Sequence, residues 1–307
     1  MKEFPVSQIE FERWFSSEEK CRKYLEKIRW PQGFECPRCK LRDCWRESRG
    51  RIECKTCAWR STLTAGTIFE GSHLELMLWF RAIWWLINQK HGVSAYGLQK
   101  GLGLGSYRTA WLILQKLRKA MVYPERKPLT GKVEVDEAFM MGVKRITPKH
   151  RANPIVMVGV EDRGKTIGRI RLKHIQIDDT KNICGFIQEN VLRNSTIISD
   201  GERSYENVES QGYHHICTPS YARNARVGVK ILPKVNLVIS LLKTWIRGTH
   251  HGRIGPKHLQ GYLDEFAFRF NRRNSESRGL LFRRMLESAV CYTPTTYKQL
   301  VNPQHIR

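Results

Sequence analysis

The sequence predicts an α/β protein in which a small cysteine-rich module and a helical module precede a larger domain of strands and helices. Three observations predict this class. Two Cys-x-x-Cys pairs occur early in the chain, an apolar and basic helical pattern follows them, and β-type alternation begins at Lys132. The 307 residues, 41% of them hydrophobic, suffice for one good core with smaller modules beside it.

The cysteine pairs predict a metal site within residues 1–70. Cys36-Pro37-Arg38-Cys39 and Cys54-Lys55-Thr56-Cys57 are separated by fourteen residues. Each pair brings two thiolates to one ion, and two pairs complete a tetrahedral zinc site that has no open position for a substrate. We therefore predict one structural Zn²⁺ in a zinc ribbon, bound by Cys36, Cys39, Cys54 and Cys57. The alternative is a chance arrangement of buried or redox cysteines, and Cys44 is a competing ligand if one pair is misassigned.

Residues 71–122 have helical spacing. An apolar helix with little polar face is predicted around residues 74–87, so this helix should be mostly buried. Ser94 and Ser106 can cap two further helices on either side of the glycine-rich turn at residues 101–105. This pattern is typical of a helix-turn-helix, although a plain helical hairpin fits it equally well. The second helix would offer five DNA contacts: Tyr107, Arg108, Lys116, Arg118 and Lys119.

A proline-containing linker at residues 123–131 precedes a predicted domain at 132–275, and residues 276–307 form a polar C-terminal tail. In the domain, strands are predicted at 132–139, 154–161 and 167–175. A helix capped by Asp178 or Asp179 follows, and then a strand near 195–201. Three strands, a helix and a fourth strand is the order of a ribonuclease H-like core. Its first and fourth strands lie side by side, so Asp136 and Asp200 should converge.

Converging carboxylates suit phosphodiester chemistry. Two Mg²⁺ ions about 4 Å apart activate an oxygen nucleophile and stabilise the leaving oxygen, and a shared Asp holds that separation. Hard cations of this kind prefer oxygen ligands. The alternative is that each Asp, taken singly, caps a turn or helix.

The charge of the chain indicates a polyanionic partner. There are 53 Lys and Arg against 29 Asp and Glu, a formal net charge of +24 spread along the sequence. Nucleic acid is the usual partner of such a surface, with anionic membrane and ribosomal RNA as alternatives. The sequence opens without a secretory signal, and its most apolar stretch is shorter than the roughly 20 residues that span a bilayer. We therefore expect a cytoplasmic protein with no membrane partner.

Several runs of residues resemble one family, the zinc-ribbon insertion-sequence transposases of the ISXO-two-like group. The resemblance covers nearly the whole chain. It rests on Arg-Trp-Pro-Gln-Gly-Phe at 29–34, Leu-Thr-Ala-Gly-Thr-Ile-Phe at 63–69, Val-Glu-Val-Asp-Glu at 133–137 and Ile-Ser-Asp-Gly at 198–201. The most specific runs are Leu-Lys-Thr-Trp-Ile-Arg-Gly-Thr-His-His-Gly at 242–252, Lys-His-Leu-Gln at 257–260 and Tyr-Leu-Asp-Glu-Phe-Ala-Phe-Arg-Phe-Asn-Arg-Arg at 262–273.

The resemblance implies transposition. The protein would bind the terminal inverted repeats of its element and target DNA, then cleave and transfer strands with two Mg²⁺ or Mn²⁺ ions. By analogy it would act as a homodimer or higher oligomer on DNA, at the nucleoid. The family's active site consists of Asp, Asp and a third residue seven positions before a Lys. This implies Asp136, Asp200, Asn236 and Lys243 as the catalytic set.

Asn236 departs from the commoner Glu. On a helix after Pro233 it shares a face with Lys243, and its amide oxygen can bind Mg²⁺, but the lost charge should weaken the second ion. Nearby acidic residues are possible substitutes: Glu134, Glu137, Asp264 and Glu265. Cations that would line the DNA path are Arg247, Lys257, Arg272 and Arg273. Two other functions stay open, namely a DNA-binding regulator that has lost catalysis and a structure-selective nuclease on the same fold.

Overall fold

The computed structural model describes residues 3–47, 50–123, 125–140, 153–200, 202–218, 232–252 and 254–301. The chain divides into two compact units. Unit 1 comprises Met1–Tyr123 together with Ser275–Arg307, and unit 2 comprises Pro124–Asn274.

Unit 1 combines a bundle of helices with a small sheet. Its helices are α1 (Gln8–Trp14), α2 (Glu18–Arg29), α3 (Leu76–Asn88), α4 (Ala95–Gly101), α5 (Tyr107–Ala120), α9 (Arg278–Cys291) and α10 (Tyr297–Val301). As predicted, Ser94 and Ser106 cap α4 and α5. The predicted apolar helix is α3, and it is mostly buried. Its cap comes from α2, because the Glu18 carboxylate accepts hydrogen bonds from the backbone N–H groups of Leu76 (3.0 Å) and Met77 (2.9 Å).

The small sheet of unit 1 contains β1 (Cys44–Arg46), β2 (Arg51–Cys54) and β3 (Arg60–Thr62), antiparallel in the order β1-β2-β3. Its core is small: Phe34 and Ile52 are buried together with two cysteines, and two tryptophans pack beside them. This arrangement matches the predicted zinc ribbon.

The sequence did not identify the role of the C-terminal residues, which were expected to form a tail. Instead, α9 packs against α2, α3 and α5. Its buried face is apolar and includes Leu281, Phe282, Met285 and Leu286. The sequence suggested a polar tail because arginines interrupt the apolar residues of α9, and the segment therefore resembles a polar one.

Unit 2 has a five-stranded sheet. Its strands are β4 (Lys132–Phe139), β5 (Ile155–Arg163), β6 (Thr166–Ile175), β7 (Thr196–Ser199) and β8 (His214–Cys217), and its helices are α6 (Thr180–Asn190), α7 (Pro233–His250) and α8 (Leu259–Asn271). The strand order is β6-β5-β4-β7-β8. β4 pairs antiparallel with β5 and parallel with β7. The predicted neighbourhood of the first and fourth strands is therefore confirmed, and the order is that of a ribonuclease H-like core.

The two faces of this sheet have separate cores. Val133 and Val135 of β4 point toward α6, in a core that includes Phe186 and Ile187. Ala138 of β4 belongs to the opposite core, with residues of α7 and α8. Alternation along β4 thus sends odd-numbered residues to the α6 face and even-numbered ones to the α7 face.

Candidate functional site

Asp136 lies on β4, and Asp200 is the first residue after the neighbouring parallel strand β7. The last paired residues of β4 and β7 are Glu134 and Ile198. Each Asp comes two residues after its paired residue, and both are half-buried. The Asp136 Oδ1 atom accepts a hydrogen bond from the backbone N–H of Glu137 at 2.9 Å, and Asp200 Oδ1 accepts one from the N–H of Glu202 at 3.2 Å.

Glu134 anchors the start of α7 to the strand that carries Asp136. The buried Glu134 carboxylate accepts hydrogen bonds from the N–H groups of Lys234 (2.9 Å) and Val235 (2.8 Å). The residue before the helix, Leu232, has a left-handed backbone (φ 47°) and gives no side-chain cap, so Glu134 performs that function. Burial raises the pKa of Glu134, and these two N–H groups oppose that rise. Both bonds go to Oε2, so this carboxylate holds the start of α7 to β4.

Asn236 and Lys243 lie on the helix that Glu134 anchors. Asn236 is exposed in the first turn, and its Nδ2 donates to the Leu232 carbonyl at 3.0 Å. Lys243 is half-buried two turns later, and the exposed Arg247 follows one turn further along. The spacing puts the three side chains on one stripe of α7. Asp136 lies on the same face of β4 as Glu134. The Asp136 side chain therefore lies on the face of the sheet that α7 covers.

A second acidic group adjoins Asp136 on the opposite face. Glu137 accepts a hydrogen bond of 2.9 Å at Oε2 from the hydroxyl of Tyr205, which is 1% exposed. Burial raises the pKa of Glu137, the Tyr205 hydroxyl lowers it, and the charges of Asp200 and Asp178 raise it again. The pKa of Tyr205 is raised by burial first and then by Glu137, Asp136 and Asp200. The charges of these acidic groups therefore influence one another. The sequence did not indicate a role for Tyr205, apart from its position shortly after Asp200.

The other two acidic residues that could replace Asn236 as a metal ligand lie on α8. Glu265 is fully buried and pairs with Arg269 at 2.9 Å. Asp264 accepts a hydrogen bond from Gln260 Nε2 at 2.9 Å, and burial raises its pKa to about 6. Since α8 packs on β6, at the far edge of the sheet from β7, neither carboxylate joins Asp136 and Asp200.

The four predicted zinc ligands are brought together in unit 1. Their ligand atoms lie within 4.8 Å of one another, and within the described ranges this is the one group of three or more His, Cys, Asp or Glu side chains suited to a metal. The Sγ atoms of Cys36 and Cys57 are 3.6 Å apart, and those of Cys39 and Cys54 are 3.4 Å apart. Zn–S bonds of about 2.3 Å in a tetrahedron require S···S separations of about 3.8 Å, so the cluster fits a structural zinc.

Both cysteine pairs turn in the same way. Lys40 and Ala58, each four residues after the first cysteine of its pair, have left-handed backbones with φ of 62° and 51°. Their N–H groups donate to the carbonyls of Cys36 (2.8 Å) and Cys54 (3.0 Å). Backbone N–H groups of Cys57 and Thr56 lower the pKa of Cys54 to about 6, which favours the thiolate that a zinc ion binds. Cys44 pairs with Cys54 across the strands but is not one of the four.

The suggested DNA contacts on α5 have different surroundings. Arg108 is exposed, and its guanidinium lies 3.9 Å from the ring centroid of Tyr297. Lys116 Nζ donates to the carbonyls of Ile68 (2.8 Å) and Glu70 (3.1 Å), and Lys119 Nζ donates to Thr295.

Arg118 requires correction, because it is 1% exposed and its side chain lies in the interior of unit 1. A cation so placed does not meet a DNA phosphate on the surface. The helical spacing of basic residues suggested a contact, but the buried face of α5 is wider than the sequence indicated and includes Gln115 as well as Arg118.

The basic residues of α7, α8 and the turn between them are more accessible. Arg247 and Lys257 are exposed. Arg272 and Arg273, just after α8, stack on Phe268 at 4.1 Å and Phe270 at 4.2 Å. Such stacking fixes the direction of a guanidinium. Arg273 also donates to the backbone carbonyls of Ile167, Gly168 and Phe270, and Arg272 donates to that of Phe268.

Two family models match the chain. Residues 16–60 match a transposase zinc-ribbon domain, and residues 128–271 match an ISXO2-like transposase domain. Together with the sheet order and the four-cysteine cluster, these matches show a transposase-type domain preceded by a transposase zinc ribbon. Residues 128–271 belong to the ISXO2-like transposase family.

One relative and one solved structure are similar to parts of the chain. A relative from Halobacterium salinarum, an uncharacterized protein in transposable element ISH50, is 30% identical over 156 residues, which are 49% of this chain and 51% of the relative. The chain thus spans about half the length of that relative. One chain in a cryoEM structure of the simian T-cell lymphotropic virus intasome in complex with PP2A regulatory subunit B56 gamma aligns with 65% of this chain and 74% of its own, at 14% identity and a TM-score of 0.34. That TM-score is too low to support an argument.

Across the described residues, the helices are too short or too polar to cross a membrane.

Proposed function

We propose that this protein is an active DNA transposase that binds the terminal inverted repeats of its insertion sequence and cleaves and joins strands at their ends. The observation that carries the proposal is the placement of Asp136 on β4 and of Asp200 just after β7, each two residues beyond the last residue pair of these parallel strands. The start of α7 is held to β4 by Glu134. Asp136, Asp200 and Asn236 would hold two Mg²⁺ or Mn²⁺ ions. When bound, the ions would activate the attacking oxygen and stabilise the leaving oxygen.

The donor set fits hard divalent ions. Carboxylate and amide oxygens are ligands that Mg²⁺ accepts, and two carboxylates are as many as such sites commonly use. Asn236 contributes an oxygen without a charge. A site that holds two ions with two carboxylates has less negative charge than one with three, so its affinity for the second ion should be lower.

The residues around this set would hold the substrate. Lys243 and Arg247 follow Asn236 along one stripe of α7, where cations can bind phosphates on either side of the bond that breaks. Lys257, Arg272 and Arg273 would extend that path. Arg108, at the exposed start of α5, would contact the repeat. By analogy with enzymes that pair two DNA ends, we expect two or more copies on DNA, at the nucleoid.

The test is cleavage of a labelled duplex that carries the flanks of the gene, with Mg²⁺ or Mn²⁺. We expect wild-type protein to nick at the repeat ends, and Asp136→Asn and Asp200→Asn to bind the ends without nicking. Glu189→Gln, which removes an exposed carboxylate paired with Lys173, is the matched control and should cleave normally. End binding by the wild type with no nicking in either metal would favour the regulator.

Asn236 has its own test. Asn236→Ala should abolish nicking, whereas Asn236→Asp should lower the metal concentration that gives half-maximal nicking, because it restores a charge at the same position. Nicking that survives Asn236→Ala would mean that the third ligand is another residue. Cleavage of junctions regardless of end sequence would favour the structure-selective nuclease.

A further inference from the structure

Tyr205 connects the segment after β7 to the residue beside Asp136. It lies in a short 3-10 helix, Arg203–Tyr205, five residues after Asp200. Its hydroxyl is buried and donates to Glu137 Oε2 at 2.9 Å. This hydrogen bond therefore joins the chain that follows one proposed metal ligand to the neighbour of the other.

A second connection reaches the residue before Asp200. Ser199 is fully buried, and its Oγ lies 2.9 Å from Nε2 of His215 on β8. The His215 ring stacks on the Tyr205 ring, with centroids 6.3 Å apart and planes inclined by 21°. The sequence neighbours of both Asp136 and Asp200 are thus linked to one aromatic side chain.

These contacts oppose a repulsion. After burial, the charges of Glu137, Asp136 and Asp200 raise the pKa of the Tyr205 hydroxyl, so three carboxylates act on this one group. Like charges repel each other, and the Tyr205–Glu137 hydrogen bond joins the two segments against that repulsion. Glu137 itself points to the α6 face, away from the face that Asp136 shares with α7, so it is not oriented as a ligand.

We propose that Tyr205 is a positioning residue that, through Glu137 and His215, fixes the relative positions of Asp136 and Asp200 for metal binding. The inference rests on the proposed function, because it takes those two residues as metal ligands. The hydroxyl of Tyr205, rather than the charge of Glu137, is the group that matters, and this separates the proposal from a role for Glu137 as an extra ligand.

The experiment measures Mn²⁺ binding to the full-length chain without DNA, by calorimetry and by the electron paramagnetic resonance signal of free Mn²⁺. Tyr205→Phe keeps the ring and removes the hydroxyl, and we expect Mn²⁺ affinity to fall about tenfold, the lower end of the effect of losing a direct partner of a metal ligand, because Tyr205 acts through Glu137. Glu137→Gln keeps an oxygen that accepts the hydrogen bond, and it should bind Mn²⁺ nearly as the wild type does. Ser199→Ala cuts the second connection and should weaken binding in the same direction.

Tyr213→Phe is the matched control. Tyr213 belongs to the same core, and its hydroxyl donates to the Val191 carbonyl at 3.3 Å, with no connection to Asp136. Equal losses for Tyr205→Phe and Tyr213→Phe would overturn the proposal, since a general loosening of the core would explain both. It would also be overturned if Glu137→Gln lost affinity while Tyr205→Phe kept it. Mn²⁺ binding that is unchanged by Asp136→Asn would instead overturn the proposed metal site itself, and the inference with it.

Discussion

At the residue scale, the buried carboxylates of unit 2 differ mainly in their hydrogen-bond donors. Glu134 has two backbone N–H groups, and Glu161 has the guanidinium of Arg169 together with the N–H of Thr130. Asp264 is different because its donor is the neutral amide of Gln260. Asp264 is half-buried, and a carboxylate bonded by an amide alone keeps most of its desolvation cost, so the pKa of Asp264 is raised to about 6.

This difference predicts a pH-dependent stability. The pKa of Asp264 is higher in the folded state than the usual 3.8, so the folded chain binds the proton more tightly. Stability contributed by the protonated acid is present at low pH and is lost as pH rises through about 4 to 6. Asp264→Asn should remove this loss and raise the free energy of unfolding near neutral pH by up to about 3 kcal/mol. Urea unfolding of variant and wild type at about pH 4.5 and about pH 7.5 tests this; an equal pH slope in both proteins would contradict it.

How far the sequence predicts individual residues depends on where their partners lie in the chain. Asp136 and Asp200 could be paired in advance because strand alternation and strand order are local patterns. Glu134 could not be assigned, since its partners Lys234 and Val235 lie about a hundred residues later. Arg118 was misjudged for a related reason: the width of a helix's buried face depends on the elements that cover it.

At the scale of elements, the zinc ribbon depends on its metal more than on its core. Its buried apolar side chains are few, so the four thiolates must supply much of its stability. We predict one zinc per chain, released by Cys57→Ser but retained by Cys44→Ser, which removes a neighbouring thiol outside the cluster. Metal analysis and hydrogen exchange in residues 34–62 would measure this. Loss of zinc from Cys44→Ser as well would show that the ligand set is wrong.

The start of α5 gives a prediction about DNA reading. In a helix-turn-helix, the first residues of the second helix meet base edges, and arginine recognises guanine through two hydrogen bonds. Arg108 occupies that position and is oriented by the ring of Tyr297. Arg108→Ala should reduce the preference for repeat over scrambled DNA by about 1–3 kcal/mol. Tyr297→Ala should act in the same direction, and Tyr297→Phe should not.

The control for this prediction is Lys100→Ala on α4, where the ammonium lies 5.7 Å from the Tyr96 ring centroid. Lys100→Ala should weaken binding to repeat DNA and to scrambled DNA by the same factor, because a phosphate contact does not depend on sequence. Fluorescence anisotropy at several salt concentrations measures both effects. If Arg108→Ala also weakens both DNAs equally, α5 does not read sequence through this residue.

Two kinds of element are hard to predict from the sequence: very short strands, and helices whose cap comes from a distant residue. The four-residue β8 contains two histidines and a cysteine, which give no strand alternation, and it was not predicted. Its place at the edge of the sheet comes from pairing with β7. The starts of α4 and α5 were predicted because their caps are the serines immediately before them. The start of α3 depends on Glu18, a carboxylate of another helix.

At the scale of the whole molecule, the two ends of the chain form one core. Gly279 of α9 lies so near the first residues that a Cβ atom there would be 1.8 Å from the Pro5 carbonyl oxygen. Phe282 is fully buried among aromatic rings of three other helices. Its ring centroid is 5.4 Å from those of Phe11 and Phe15, and 5.5 Å from that of Phe80. Residues 278–301 are thus structural for unit 1.

This organisation predicts which parts of the chain lose stability together. Phe282→Ala should cost about 3–5 kcal/mol and lower hydrogen-exchange protection in α1, α2 and α3, although these helices are 194 to 274 residues away in sequence. Phe186→Ala is the reciprocal control, because Phe186 is equally buried in the α6 core of unit 2. It should lower protection in β4 and β5 and leave α1–α3 unchanged. If Phe282→Ala lowered protection only within α9, the C-terminal helix would be an appendage rather than part of the core, and the polar tail expected from the sequence would describe it better.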